Sequence, residues 1–135
     1  MSKKDKNLPV VTLRTEDDYI QAELLLSQAM GLNPKKFDKT WKSGDGQVVG
    51  TWTDKAGRPL PAWARDNGAA FTVMLKYDCF PMASTNKETI YIQWGIDLEY
   101  VDEKVERHAS YEAAVRYTVV VGATEIANTR RRAIF

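Results

Sequence analysis

Thr89-Ile90-Tyr91-Ile92-Gln93-Trp94-Gly95-Ile96-Asp97-Leu98-Glu99-Tyr100-Val101 carries the clearest pattern in the chain. Ile90, Ile92, Trp94, Ile96, Leu98 and Tyr100 alternate with Tyr91, Gln93, Gly95, Asp97 and Glu99. Successive side chains of a strand point to opposite faces, so a period of two predicts one long strand, apolar face inward and mostly polar face outward. A helix would spread the same residues around its circumference. Gly95, in mid-strand, reads as a bulge or a close contact on the outer face. Upstream, Phe80 to Ser84 pairs with this strand through Thr85-Asn86-Lys87-Glu88 as an antiparallel hairpin.

Three helices flank these strands. Thr15-Glu16-Asp17-Asp18 is a helix start: Thr15 accepts from a free backbone N–H, and three acids sit where the helix dipole favours them. Tyr19, Ala22, Leu26, Ala29 and Met30 follow at helical spacing, and Gly31 with Pro34 stops the helix. Asp66 caps a second helix of about three turns, with Ala69, Ala70, Val73, Met74 and Tyr77 on one face. Ser110 caps the third, lined by Tyr111, Ala114, Val115, Thr118, Val119, Ala123 and Ile126. The β-branched run from Thr118 to Val121 lowers helix propensity, and a strand from Arg116 to Val121 competes there. Between the first two helices, residues 32 to 46 form a polar connector and Gln47 to Thr53 a short strand. Asp54-Lys55-Ala56-Gly57 turns the chain, and Pro59 and Pro61 confine any partner strand to an edge. The sum is an α+β single domain, an antiparallel sheet of three to four strands packed with about three helices. Residues 1–9 read as a flexible arm, 10–128 as the domain and 129–135 as a basic tail.

The 135 residues bury roughly two-thirds of their unfolded surface in a domain of this size, enough for a core without metal or disulfide. Lys and Arg number 19 against 18 Asp and Glu, so net charge gives no sign of a nucleic acid or anionic membrane partner. No apolar run approaches the ~20 residues of a membrane span, and Met1 to Pro9 is too polar for a signal peptide. The single cysteine, Cys79, makes an intramolecular disulfide impossible, and a reducing cytosol is the expected compartment.

Ala22 to Leu32 (AELLLSQAMGL), Trp63 to Asp78 (WARDNGAAFTVMLKYD) and Tyr111 to Ala123 (YEAAVRYTVVVGA) together resemble the phage ABA-sandwich proteins and the related NinX-like proteins, small domains of unknown function. There too a first helix ends in an "MG" plus apolar step, and a late alanine-rich helix carries small residues for close packing, the place of Ala113-Ala114-Val115-Arg116 here. The segment 32–62, with Trp41 and Trp52, departs from that pattern. The resemblance implies a phage accessory protein acting in the cytoplasm of a bacterial host, and it transfers no catalytic residues and no cofactor.

Chemistry is sparse. His108 is the only histidine, which excludes His-rich metal sites and paired His relays. Cys79 with His108 would make a dyad, although a cysteine beside Phe80 and Pro81 is more commonly a small buried hydrophobe. Asp97 and Glu99, about 7 Å apart on one strand face, could hold a cation, or could simply be solvated. Trp52, Arg58, Arg65, Tyr91 and Gln93 form the candidate ligand set, aromatic faces for a nucleotide base and arginine forks for its phosphates. The same residue types also cover sheet edges and subunit contacts. Arg130-Arg131-Arg132 either holds phosphate or extends into water past a helix end.

Three readings follow. The leading one is a non-enzymatic phage protein, of a counter-defence kind, that binds a bacterial host protein or sequesters a small nucleotide signal and self-associates as a homo-oligomer. Its rival is a divalent-metal-dependent hydrolase or nuclease using Asp97, Glu99 and Glu106. The weakest is nucleic-acid binding through Lys35, Lys36, Lys39, Lys42 and the Arg130 cluster.

Overall fold

The structure, a computed structural model, describes residues 11–36, 41–42, 48–95 and 97–133. The expected arm at residues 1–9, Lys39, the Gly44-Asp45-Gly46 stretch, Gln47, Ile96 and Ile134-Phe135 lie outside the described residues.

Helix α1 spans Glu16–Ala29 and starts in a capping box. The Thr15 hydroxyl accepts from the Asp18 amide, and the Asp18 carboxylate accepts from the Thr15 amide at 2.7 Å. Gly31, at φ +78°, supplies the left-handed residue that reverses the chain, and the Leu32 amide donates back to the Ser27 carbonyl. Four short strands then make the first antiparallel sheet: β1 (Lys35–Lys36), β2 (Trp41–Lys42), β3 (Val48–Thr53) and β4 (Pro59–Pro61). β1 and β2 pair with opposite ends of β3, and β4 pairs with β3 as well. The turn into β4 is built as its sequence dictates, with one Asp54 carboxylate oxygen accepting from the Ala56 and Arg58 amides.

Helix α2 (Asn67–Tyr77) is capped by Asp66, whose carboxylate accepts from the Ala69 amide at 2.9 Å. The second sheet follows in the order β5 (Met82–Ala83), β6 (Thr89–Trp94) and β7 (Glu99–Lys104), all antiparallel. A short 3-10 turn at Val105–Arg107 leads into α3, Tyr111–Ala133, where the Ser110 hydroxyl accepts from the Ala113 amide. The α+β class therefore holds, with three α-helices among the described residues and the strands divided between two sheets.

One expectation is corrected. Residues 89 to 101 are not a single long strand: the chain folds back at Gly95–Leu98, so that Trp94 faces Glu99, Ile92 faces Val101 and Ile90 faces Glu103. Gly95 (φ +79°) and Leu98 (φ +54°) adopt the left-handed backbone that the reversal needs. The alternation in the letters runs on, but its phase changes at the loop. Residues opposite one another in an antiparallel pair share a face, so even positions point inward on β6 and odd positions on β7. Leu98 and Tyr100, expected inside, are 64% and 62% exposed, whereas Glu103 is buried.

Helix α3 is the centre of the molecule, packed against α1, α2, β6 and β7. Val119, Val120 and Ala123 meet Leu26 and Ile92 in the core, all fully buried. Thr118 and Val119 to Val121 stay helical because this burial outweighs their propensity, and the Thr118 hydroxyl is satisfied by the Ala114 carbonyl at 2.7 Å. The competing strand at 116–121 is absent. Arg130, Arg131 and Arg132 belong to the last turns of α3 and do not form a tail beyond it.

Candidate functional site

The five residues expected to form a ligand set are not brought together. Trp52, Arg58 and Arg65 belong to the first sheet and its connections, Tyr91 and Gln93 to the outer face of the second. Trp52 is half-buried, its indole N–H donating to the Ile20 carbonyl at 2.9 Å. Arg58 extends from the turn with its Nε 3.2 Å from Asp54. Arg65 is consumed by an internal ion pair: it donates through Nε and a terminal nitrogen to Glu23, and through the other to Glu16 at 3.0 Å. Glu23 is 1% exposed and also accepts from the Ala64 amide at 3.0 Å. Burial pushes its carboxyl above the usual range even with the guanidinium beside it. A Cβ on Gly50 would sit 3.2 Å from both partners, so glycine lets β3 lie against the pair.

A second polar cluster, unanticipated from the sequence, surrounds His108. Glu103 points inward from β7 and accepts from Arg14 Nε at 2.8 Å and from His108 Nε2 at 2.9 Å, with Arg107 3.8 Å away. His108 Nδ1 lies 2.7 Å from the Tyr19 hydroxyl. A neutral imidazole protonated at Nε2 satisfies both contacts, donating to the carboxylate and accepting from the phenol. Burial holds the imidazole below its ordinary pKa, opposed by Glu103 and reinforced by Arg14 and Arg107. The neutral form is thus favoured in the fold, and the unfolded chain binds the extra proton first. Stability that is complete above pH about 6.5 should fall as the pH drops through the folded-state value. Glu23, shifted upward, titrates in the opposite sense and gains as the pH falls. Thermal melts of wild type and His108→Gln across this range isolate the histidine: the wild-type midpoint should drop relative to the variant on acidification, and parallel curves would contradict the assignment.

The remaining candidates for chemistry lie apart. Cys79 is fully buried, its thiol directed at the Val73 and Val119 carbonyls and pushed up to about 11, and its contacts do not include His108. Asp97 lies in the reversal, not on a strand, so the shared face proposed for Asp97 and Glu99 does not exist; Glu106 is in the 3-10 turn. Among the described residues no three of His, Cys, Asp and Glu cluster closely enough to hold a metal ion. Lys35 and Lys36 are exposed on β1.

Where the ends of α2, β6 and α3 converge, a groove of about 390 Å³ opens, with Tyr77, Asp78, Gln93, Trp94, Thr129 and Arg130 among its lining residues. Arg130 carries its guanidinium 5.5 Å over the Tyr77 ring and makes no ion pair among the described residues. Lys76 Nζ lies 5.6 Å from the same ring. The half-buried Trp94 carries an indole N–H that is shielded from solvent and has no acceptor among the described residues. A buried donor left without a partner costs about 1–3 kcal/mol. An indole and a guanidinium held on an aromatic ring are groups that take a planar ring bearing an anion. Gln93 is the member of the expected set that reaches this groove. Trp94 packs at the edge of the core, as its place on the apolar face of β6 implies, and α3 brings Arg130 to the same opening.

Other apolar surface is exposed as well: Phe71 and Leu75 on α2 and Tyr111 on α3 are 54%, 54% and 40% exposed, and Phe71 and Tyr111 border a shallow groove between the two helices. In comparisons with known proteins, no family model, no curated protein and no solved structure matches the chain.

Proposed function

We propose that this chain is a non-enzymatic binding protein that sequesters a small anionic ligand with a planar ring, of the nucleotide class, as a phage accessory protein of the counter-defence kind in a bacterial cytoplasm. The resemblance to the phage ABA-sandwich and NinX-like proteins supports the setting. What carries the ligand reading is the groove at the end of α3, lined by Trp94, whose shielded indole N–H has no acceptor among the described residues, and by Arg130, which makes no ion pair among them. The use of Arg65, Glu23, Glu103 and His108 in internal contacts supports a scaffold that binds and does not turn over substrate.

Thermal melts with adenosine 5′-monophosphate, adenosine and inorganic phosphate test it. The nucleotide should raise the midpoint by several degrees at saturation, and the separate base or phosphate by much less. Arg130→Gln and Trp94→Phe should remove the shift; Trp94→Phe deletes a donor that has no acceptor among the described residues and should leave its own midpoint near wild type. A melt unmoved by the nucleotide would overturn the ligand reading and shift support to a host-protein partner or a second copy at the Phe71 and Leu75 face.

A further inference from the structure

We propose that the two grooves on either side of Trp94 form one bipartite site, shaped for a ligand with two anionic groups, each next to a planar ring: a dinucleotide and not a mononucleotide. This rests on the ligand reading of the first groove. Beyond Trp94 a second groove of about 450 Å³ is lined by Leu98, Tyr100, Val101, Glu125, Thr129 and Arg132. Trp94 and Thr129 line both openings, so the two grooves adjoin along a ridge we infer at these residues. Arg130 and Arg132 are two residues apart on α3, about 200° around the helix at 3.6 residues per turn, which sends one guanidinium to each side of that ridge. Arg132 donates to the Thr129 hydroxyl at 3.3 Å and makes no ion pair among the described residues.

The composition of the two halves is parallel. The first is lined by Trp94 with Arg130, and the second is bordered by Tyr100, 62% exposed, with Arg132. Each half also carries acids, Asp78 in the first and Glu99 and Glu125 in the second. A carboxylate repels phosphate but accepts from a ring amino group, so the arrangement sorts a ligand by placing amino-bearing bases at the acids and phosphates at the arginines. Adenine meets that demand. A ligand that spans the ridge makes its second contact intramolecularly and gains affinity without new protein groups.

Calorimetric titration of the full chain with adenosine 5′-monophosphate and with the 5′-phosphorylated adenylyl-adenosine dinucleotide tests the inference. The dinucleotide should bind about tenfold tighter or better, with one ligand per chain. Arg132→Gln should abolish that gain and leave mononucleotide affinity unchanged, whereas Arg130→Gln should weaken both; both residues are exposed, and melts of the free variants check that they remain folded. Equal affinity for the two ligands, or a gain that survives Arg132→Gln, overturns the bipartite site while leaving the single groove standing. Failure of both ligands to bind overturns the two readings together.

Discussion

Arg65→Met is expected to destabilise the protein by about 3–5 kcal/mol, a large part of the stability of a domain this size. The reason is the carboxylate left behind. Glu23 is 1% exposed, and its charge is held by two donations from Arg65 and one from the Ala64 amide. Without the guanidinium it must either stay charged in a dry site or take up a proton, and both cost free energy. Adding Glu23→Gln should restore most of the loss, because the amide oxygen still accepts from Ala64 and no charge remains. Urea denaturation of the single and double variants, extrapolated linearly, reads the cycle. The experiment also separates two roles for Arg65: a residue reserved for phosphate would be lost at little cost, within about 1 kcal/mol of wild type.

Gly122→Val should cost about 1–3 kcal/mol, against the trend that replacing a glycine in a helix adds stability. A Cβ at this position would lie 3.0 Å from Cδ1 of Ile92 and 3.4 Å from its Cγ2, so α3 approaches β6 as closely as backbone permits. Ile92 is fully buried and has nowhere to move. Ile92→Val removes the nearest methyl and costs about 0.5–1.5 kcal/mol alone, but in the Gly122→Val background it should cost less or recover stability. Strict additivity of the two changes, measured by denaturant midpoints, would mean that helix and sheet do not meet there.

What the sequence revealed was local. Thr15, Asp66 and Ser110 could be read as caps because a cap needs only a side-chain oxygen and an amide two or three residues on, and all three make those bonds. The Asp54 turn and the edge placement of the Pro59–Pro61 strand were legible for the same reason. What escaped was set by partners far along the chain. Glu23 and Arg65 are 42 residues apart and Arg14 and Glu103 are 89 apart, so no local pattern marks either acid for burial. The reversal at Gly95 hid in a different way: a four-residue loop changes which parity faces the core, yet the apolar and polar letters keep alternating through it. Reading Gly95 and Asp97 as turn residues, with Val101 and Glu103 as the new inward positions, would have found the hairpin. Trp94 lies on the face of β6 that α3 covers, and its meeting with Arg130 is set by that long-range packing, which no local pattern marks.

The claim on which the account depends is that the open end of α3 takes a planar anion. Calorimetric titration of the wild-type protein with adenosine 5′-monophosphate tests it most directly. A saturable heat fitting one site per chain, lost in Arg130→Gln, is the expected result. An isotherm with no saturable heat, or one that Arg130→Gln leaves unchanged, would contradict it.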